Sequence, residues 1–172
     1  MQEQSKNSRF EQTILPHLDA AYNLARWLTR NEADAEDVVQ EAYLRAFKFF
    51  GGFHGGNSRA WLLAIVRNTC YTWLQQNRAH ELATEVDEEL YGVESNNPEI
   101  ILLENMNKQL LKQALEELPV EFREVVILRE LEGLSYKEIA AITAVPVGTV
   151  MSRLFYARKK LQNLLKDCYE NI

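Results

Sequence analysis

Apolar positions recur at three- and four-residue intervals along most of the chain and nowhere alternate over a strand-length run, which predicts an all-α protein. An amphipathic helix is expected over about 10–29, with Pro16 bending or offsetting its start because proline cannot donate a helical hydrogen bond. A second helix is expected over about 34–50, with Val39, Tyr43, Ala46 and Phe50 as its core stripe. GGFHGGNS (51–58) reads as a loop, with Ser58 capping a third helix to about 78 whose core stripe is Leu62, Ile65, Thr69 and Trp73. Pro98 and Pro119 each suit a first helical position and start helices to about 118 and 131, the latter ended by Gly133.

The most specific pattern follows. In LSYKEIAAITAVPVGTVMSRLFYARKKL (134–161), Ser135 and Glu138 form a capping box, each side chain satisfying an orphaned amide at a helix start. Ile139, Ala140 and Ile142 give that short helix its apolar side, and Pro146 interrupts before helical periodicity resumes near Gly148. Val150, Leu154, Ala157 and Leu161 then form one stripe, with Ser152, Tyr156 and Lys159 opposite it, flanked by Met151, Phe155, Arg153 and Lys160. Five bases and no acid lie between Gly148 and Lys166. A packed helix supporting a second one with hydroxyl, aromatic and basic groups outward suits a DNA major groove. An ordinary αα-hairpin is the bland alternative, but its solvated face would mix acids with bases.

Composition changes this picture in one respect. With 47% hydrophobic and 26% charged residues the chain has the make-up of a folded protein, yet its net charge is −6, unexpected for a DNA binder. The acids are segregated. Glu81, Glu85, Asp87, Glu88, Glu89, Glu94, Glu99 and Glu104 fill 79–104 without a Lys or Arg, and Glu32, Asp34, Glu36, Asp37 and Glu41 fill 31–41. Residues 42–80 reverse the sign with Arg45, Lys48, Arg59, Arg67 and Arg78 and no acid. Blocks of opposite sign imply more than one charged partner. The expected organisation is therefore two small helical domains, 1–79 and 99–172, joined by a flexible acidic linker at 80–98 that spans at most roughly 60 Å.

Other classes find no support. No run reaches the roughly 20 apolar residues of a membrane span and no signal core opens the chain, so a cytoplasmic protein is expected. Cys70 and Cys168 are distant and expected to be reduced; His17, His54 and His80 lack metal-ligand spacing. No cofactor, nucleophile set or phosphate loop is implied, so no enzyme is expected.

Two faces of the first half carry candidate chemistry. Asp37, Gln40, Glu41 and Leu44 share a side of the second helix, either merely solvated or docked on a basic protein. On the third helix Trp61, Ala64, Asn68, Tyr71, Gln75 and Arg78 interleave aromatic, amide and guanidinium groups, and Phe53 and His54 extend that surface. Stacking on unpaired bases and plain packing under the loop both fit.

DAEDVVQEAYLRAFKFF (34–50), NSRAWLLAIVRNTCYTWL (57–74) and LPVEFREVVILRELEGLSYKEIAAITAVPVGTVMSRLFYARKKL (118–161) resemble a bacterial RNA polymerase sigma factor of the extracytoplasmic-function group. The resemblance implies a first domain that binds core polymerase and melts the -10 promoter element, and a last domain that reads the -35 element. Asp37, Gln40, Glu41 and Leu44 match the face that docks on the clamp helices of the largest core subunit. Phe53 and Asn68 match a pocket for a flipped -10 base, with Trp61 beside it; His54, Arg67 and Tyr71 complete the expected -10 set. Ser152, Arg153 and Phe155 match -35 readers, with Tyr156 and Lys159 on the same face. A glycine-rich loop, with His54 where relatives often carry a base, and Ala64 and Tyr156 in place of arginine, depart from the family pattern. A separate anti-sigma protein is the implied regulator. Alternatives are a free-standing regulator with a similar helix-turn-helix, and a sigma mimic that only sequesters an inhibitor.

Overall fold

The computed structural model describes the backbone of residues 2–77 and 104–170 and the side chains of residues 5–77 and 108–167. The described elements are α1 (Gln2–Ile14), a 3-10 turn (Leu15–His17), α2 (Leu18–Thr29), α3 (Glu32–Phe49), a 3-10 turn (Phe50–Gly52), α4 (Ser58–Gln76), α5 (Glu104–Glu117), α6 (Val120–Val126) running into a π turn (Ile127–Leu131), α7 (Tyr136–Thr143) and α8 (Val147–Glu170). No strand occurs among the described residues, as the periodicity requires. The expected linker at 80–98, the helix start at Pro98, Arg78 and the side chain of Cys168 lie outside them.

Pro16 breaks the first segment rather than bending it: the 3-10 turn around it separates α1 from α2. Phe10 and Ile14 are buried and fasten α1, the Phe10 ring standing edge-on to Tyr43, Phe47 and Phe50 at 5.1, 5.2 and 5.3 Å. Such edge-to-face pairs add roughly 0.5–1.5 kcal/mol each beyond buried area. Asn31 caps α3, its side-chain oxygen accepting from the Asp34 N–H at 3.1 Å.

The packed stripe of α3 is Ala35, Val38, Ala42 and Ala46; of the stripe expected from the sequence Ala46 and Phe50 are buried, whereas Val39 and Tyr43 are only half-buried. Alanines toward the core let α2 and α4 approach closely, and the larger residues turn to the rim. Helix α4 also departs from expectation. Its cap is Asn57, which accepts from the Ala60 N–H at 3.1 Å, while Ser58 is the first helical residue and hydrogen-bonds His17 at 2.9 Å. Leu62, Leu63, Val66, Thr69, Cys70 and Leu74 are buried, whereas Ile65 and Trp73 are only half-buried. This helix is packed by α2, α3 and α7 together, so no single stripe describes it.

In the C-terminal half the expected pattern holds closely. The Ser135–Glu138 capping box is formed in both directions, at 3.1 and 3.0 Å. Ile139 and Ile142 of α7, and Val150, Leu154, Ala157 and Leu161 of α8, are buried. Ala144 ends α7 in the left-handed region (φ 57°), two residues ahead of Pro146, and the two helices bend by 99°, within the helix-turn-helix range.

One continuous core joins the halves, with α2 and α4 packed on α6 and α7. The buried Arg123 guanidinium donates to the carbonyls of Glu116, Leu118 and Leu28 at 3.0, 2.8 and 3.4 Å, joining α6 to the end of α2.

Candidate nucleic-acid interface

The outward face of α8 follows from its inward one. With its apolar stripe buried, Ser152, Phe155, Tyr156 and Lys159 are all exposed, and the Phe155 and Tyr156 rings contact edge-on at 5.5 Å. At 62% and 57% exposure, these two large rings are held out to solvent with no described partner beyond each other. That is the disposition a groove-reading helix needs. Arg153 is half-buried and acts electrostatically on Glu124, so it faces the body of the protein more than the other four. Arg158 pairs with Glu130 at 2.7 Å, which raises its pKa.

The glycine loop places a second group. Gly55 and Gly56 adopt φ of 95° and 93°, a conformation that side chains resist, and they leave His54 exposed. The Phe53 ring stacks on Phe50 at 6.0 Å and tilts against Trp61 at 5.2 Å, while Trp61 meets Phe50 edge-on at 6.2 Å. Trp61 thus packs against the loop while staying half-buried, with part of its ring left at the surface. Phe53 keeps part of its ring at the surface, and Asn68 is exposed.

Arg67 and Tyr71 stand apart from that group. The Arg67 guanidinium grips Glu124 of α6 bidentately, Nε and Nη2 donating at 2.9 and 3.1 Å, and lies over the Tyr71 ring at 3.6 Å. Its third nitrogen, Nη1, donates to Asn68 Oδ1 at 3.4 Å. The Glu124 side chain is 0% exposed and that of Arg67 13%, so this is a buried ion pair between the two halves. Burial lifts the Glu124 carboxyl above its usual range and Arg67 pulls it part of the way back. Burial would lower the Arg67 pKa, but Glu124 outweighs it and keeps the guanidinium charged. Burial and the Glu124 charge raise the Tyr71 phenol, whose oxygen has no hydrogen-bond partner among the described residues. Arg59 to Glu132 at 3.6 Å and Asn57 to Glu138 add contacts at the same seam. Nothing local in VEFREVV marks Glu124 as buried, because its partner lies 57 positions away.

On α3, Asp37, Gln40, Glu41 and Leu44 are all exposed, Leu44 by 67%. Gln40 and Leu44 of this face line an apolar groove of about 440 Å³ together with Leu15, Leu18, Val39 and Tyr43. Leu15 and Leu18 were missed from sequence; the break at Pro16 brings them beside α3. No cluster of His, Cys, Asp or Glu suited to a metal exists among the described residues, nor is any single described helix long and apolar enough to cross a membrane.

Residues 13–80 match the family Sigma-70 region 2, and residues 108–161 match Sigma-70, region 4. The chain is 34% identical over 164 residues to the ECF RNA polymerase sigma factor SigE of Mycolicibacterium smegmatis, across 95% of this chain and 64% of that protein, thus spanning just under two thirds of that relative. It is 39% identical over 139 residues to the ECF RNA polymerase sigma-E factor of Escherichia coli, across 76% of this chain and 73% of that one. Two solved structures are similar. One is the sigma factor RpoE in complex with the anti-sigma factor NepR from Bartonella quintana, with TM-score 0.70, 31% identity and coverage of 92% of this chain and 97% of that chain. The other is CnrH in complex with the cytosolic domain of CnrY, with TM-score 0.67, 27% identity and coverage of 93% and 89%.

Proposed function

Given that this chain belongs to the extracytoplasmic-function sigma factors, we propose that it binds core RNA polymerase and directs promoter-specific initiation without covalent chemistry of its own. Residues 1–79 act as the polymerase-binding and melting unit, and residues 99–172 as the unit that reads duplex at the -35 element. The observation that carries this reading is the presence of two dissimilar exposed surfaces on one chain. The acidic-apolar face of α3 beside its groove suits a protein, and the basic-aromatic face of α8 suits a major groove.

Asp37, Gln40, Glu41 and Leu44 dock on the clamp helices of the largest core subunit, with Leu15 and Leu18 extending the contact. Ser152, Phe155, Tyr156 and Lys159 contact the -35 duplex, and Arg153 joins them from the edge of that face. Phe53, His54, Trp61 and Asn68 receive a base extruded from the -10 element. Unstacking costs a few kcal/mol, which ring contact and amide hydrogen bonds in a pocket offset. Arg67 and Tyr71 reach the same strand once α6 has moved off them, so promoter capture requires the Arg67–Glu124 pair to part. A separate anti-sigma protein, the kind of partner named for the similar RpoE structure, holds the chain from polymerase. The protein works in the cytoplasm, where polymerase is.

Run-off transcription tests this reading: the purified chain and sigma-free core polymerase act on fragmented genomic DNA, and product ends are mapped. Discrete starts sharing a two-part upstream motif are expected. An absence of starts, together with tight duplex binding in the absence of core, would refute the initiation role in favour of a free-standing regulator.

A further inference from the structure

The sequence reading left α1 out of every site, yet the structure gives that helix a chemical surface. Lys6 and Arg9 are three residues apart and share a face. Both are exposed, and both cations sit over aromatic rings: Lys6 Nζ is 5.3 Å from the Phe47 centroid and the Arg9 guanidinium carbon 5.6 Å from that of Phe50. Together with Ser5, Phe50, Gly51, Phe53 and His54 they line a groove of about 350 Å³ that contains no acid. Neither base forms an ion pair with a described acid.

We propose that this groove is a binding subsite for single-stranded DNA, in which Lys6 and Arg9 hold backbone phosphate beside the base received at Phe53. The proposal rests on the strand-capture reading above and extends it to a helix outside the expected -10 set.

Three observations carry it. The volume lies at the lower end of the range for small-ligand sites, enough for about one nucleotide. The lining offers what an unpaired strand needs, cations for phosphate and the half-exposed Phe53 ring for a base, with Phe53 shared between groove and loop. The cations are also held in place, because Phe10, one position beyond Arg9, is 1% exposed and clamped among three rings. A loose basic tail would lose more freedom on binding than two side chains on a fastened helix. The competing explanation is that both cations serve packing only, through their cation–π contacts.

The experiment uses holoenzyme reconstituted from full chain and core polymerase. Binding is measured over a salt series on a promoter fragment, taken from a mapped start, whose -10 region is single-stranded, and on a fully duplex -35 fragment. Lys6→Gln, Arg9→Gln and the double variant are compared with the charge-preserving pair Lys6→Arg and Arg9→Lys. On the single-stranded probe the log–log salt slope should become shallower by about 0.7 per cation removed, since each phosphate contact in a single strand contributes about that much. The charge-preserving pair, the duplex probe and core affinity should stay at parental values. An unchanged slope, an equal loss on the duplex probe, or a lowered melting temperature with an unchanged slope would assign the cations to packing or general attraction and overturn the proposal. If the parental holoenzyme itself fails to bind the single-stranded probe, the strand-capture reading falls and this subsite with it. If the parent binds and the variants match it, the subsite alone falls.

Discussion

Breaking the pair between Arg67 and Glu124 from either side should give unequal results, and the inequality follows from burial. Arg67→Met leaves the Glu124 carboxylate, 0% exposed, without its counter-charge; an uncompensated buried charge costs about 3–5 kcal/mol. Glu124→Gln leaves Arg67, which sits nearer the rim at 13% exposure and retains Asn68 and the Tyr71 ring as neighbours. That loss should be nearer the roughly 1–3 kcal/mol of an imperfectly satisfied buried polar group. The two variants also differ in pH dependence. Burial already raises the Glu124 pKa in the parent, and removing Arg67 raises it further. A carboxyl whose folded pKa lies above the unfolded value of about 4.3 favours folding when protonated, and that contribution is lost as pH rises through the folded pKa. The Arg67→Met deficit should therefore be smaller at about pH 5 than at about pH 8, while the Glu124→Gln deficit relative to parent runs the other way and shrinks as pH rises, because that variant lacks the parent's own raised carboxyl. Urea unfolding followed by circular dichroism at the two pH values measures both. Equal losses for the two variants, or an Arg67→Met deficit independent of pH, would refute the reasoning that Glu124 is the more deeply committed partner.

Other expectations are simpler. Glu41→Lys should weaken core-polymerase binding at least tenfold in a competition assay while shifting the melting temperature by no more than a degree or two, because the exposed Glu41–Arg45 pair is worth at most about 0.5 kcal/mol. A large stability loss would show that the α3 face is part of the fold rather than a docking surface. Ser135→Ala removes one arm of the capping box and should lower stability by about 1 kcal/mol in denaturant titration, with weaker -35 duplex binding as α7 frays. Burial pushes the Cys70 thiol up to about 12, so at neutral pH it should resist alkylation in the folded chain and react once urea exposes it. Fast labelling of Cys70 in native conditions, read by peptide mass, would contradict the burial.

What the sequence disclosed was local. Ser135, Glu138 and the stripe Val150, Leu154, Ala157 and Leu161 act within one or two helical turns, and spacing alone locates them. Where a helix is enclosed on several sides, periodicity loses its meaning. Helix α4 buries both Leu62 and Leu63, both Thr69 and Cys70, so a single stripe misplaced Ile65 and Trp73. On α3 the large residues Val39 and Tyr43 drew attention away from Ala35 and Ala42, which permit close packing. Asn57 and Ser58 are both good caps, and only the backbone decides between them. The candidate faces on α3 and α8 were legible because exposure is the complement of a local stripe. Three features were not: the Arg67–Glu124 pair, the Leu15–Leu18 side of the apolar groove, and the surface over Phe50 all join residues far apart in the chain.

The π turn at Ile127–Leu131 has a consequence of phase. Its wider winding, with the Glu132 N–H bonded to the Ile127 carbonyl at 3.1 Å, accommodates one residue more than a regular helix would. Each residue advances a helix by about 100°. Deleting one there would swing the Arg129 guanidinium off the Tyr136 ring and the Glu130 carboxylate away from Arg158, the contacts that orient α7 and α8. The aim of the exposed aromatic face of α8 is thus recorded partly in a residue count. Length variation at this point, with every exposed side chain of α8 unchanged, would re-point that whole face.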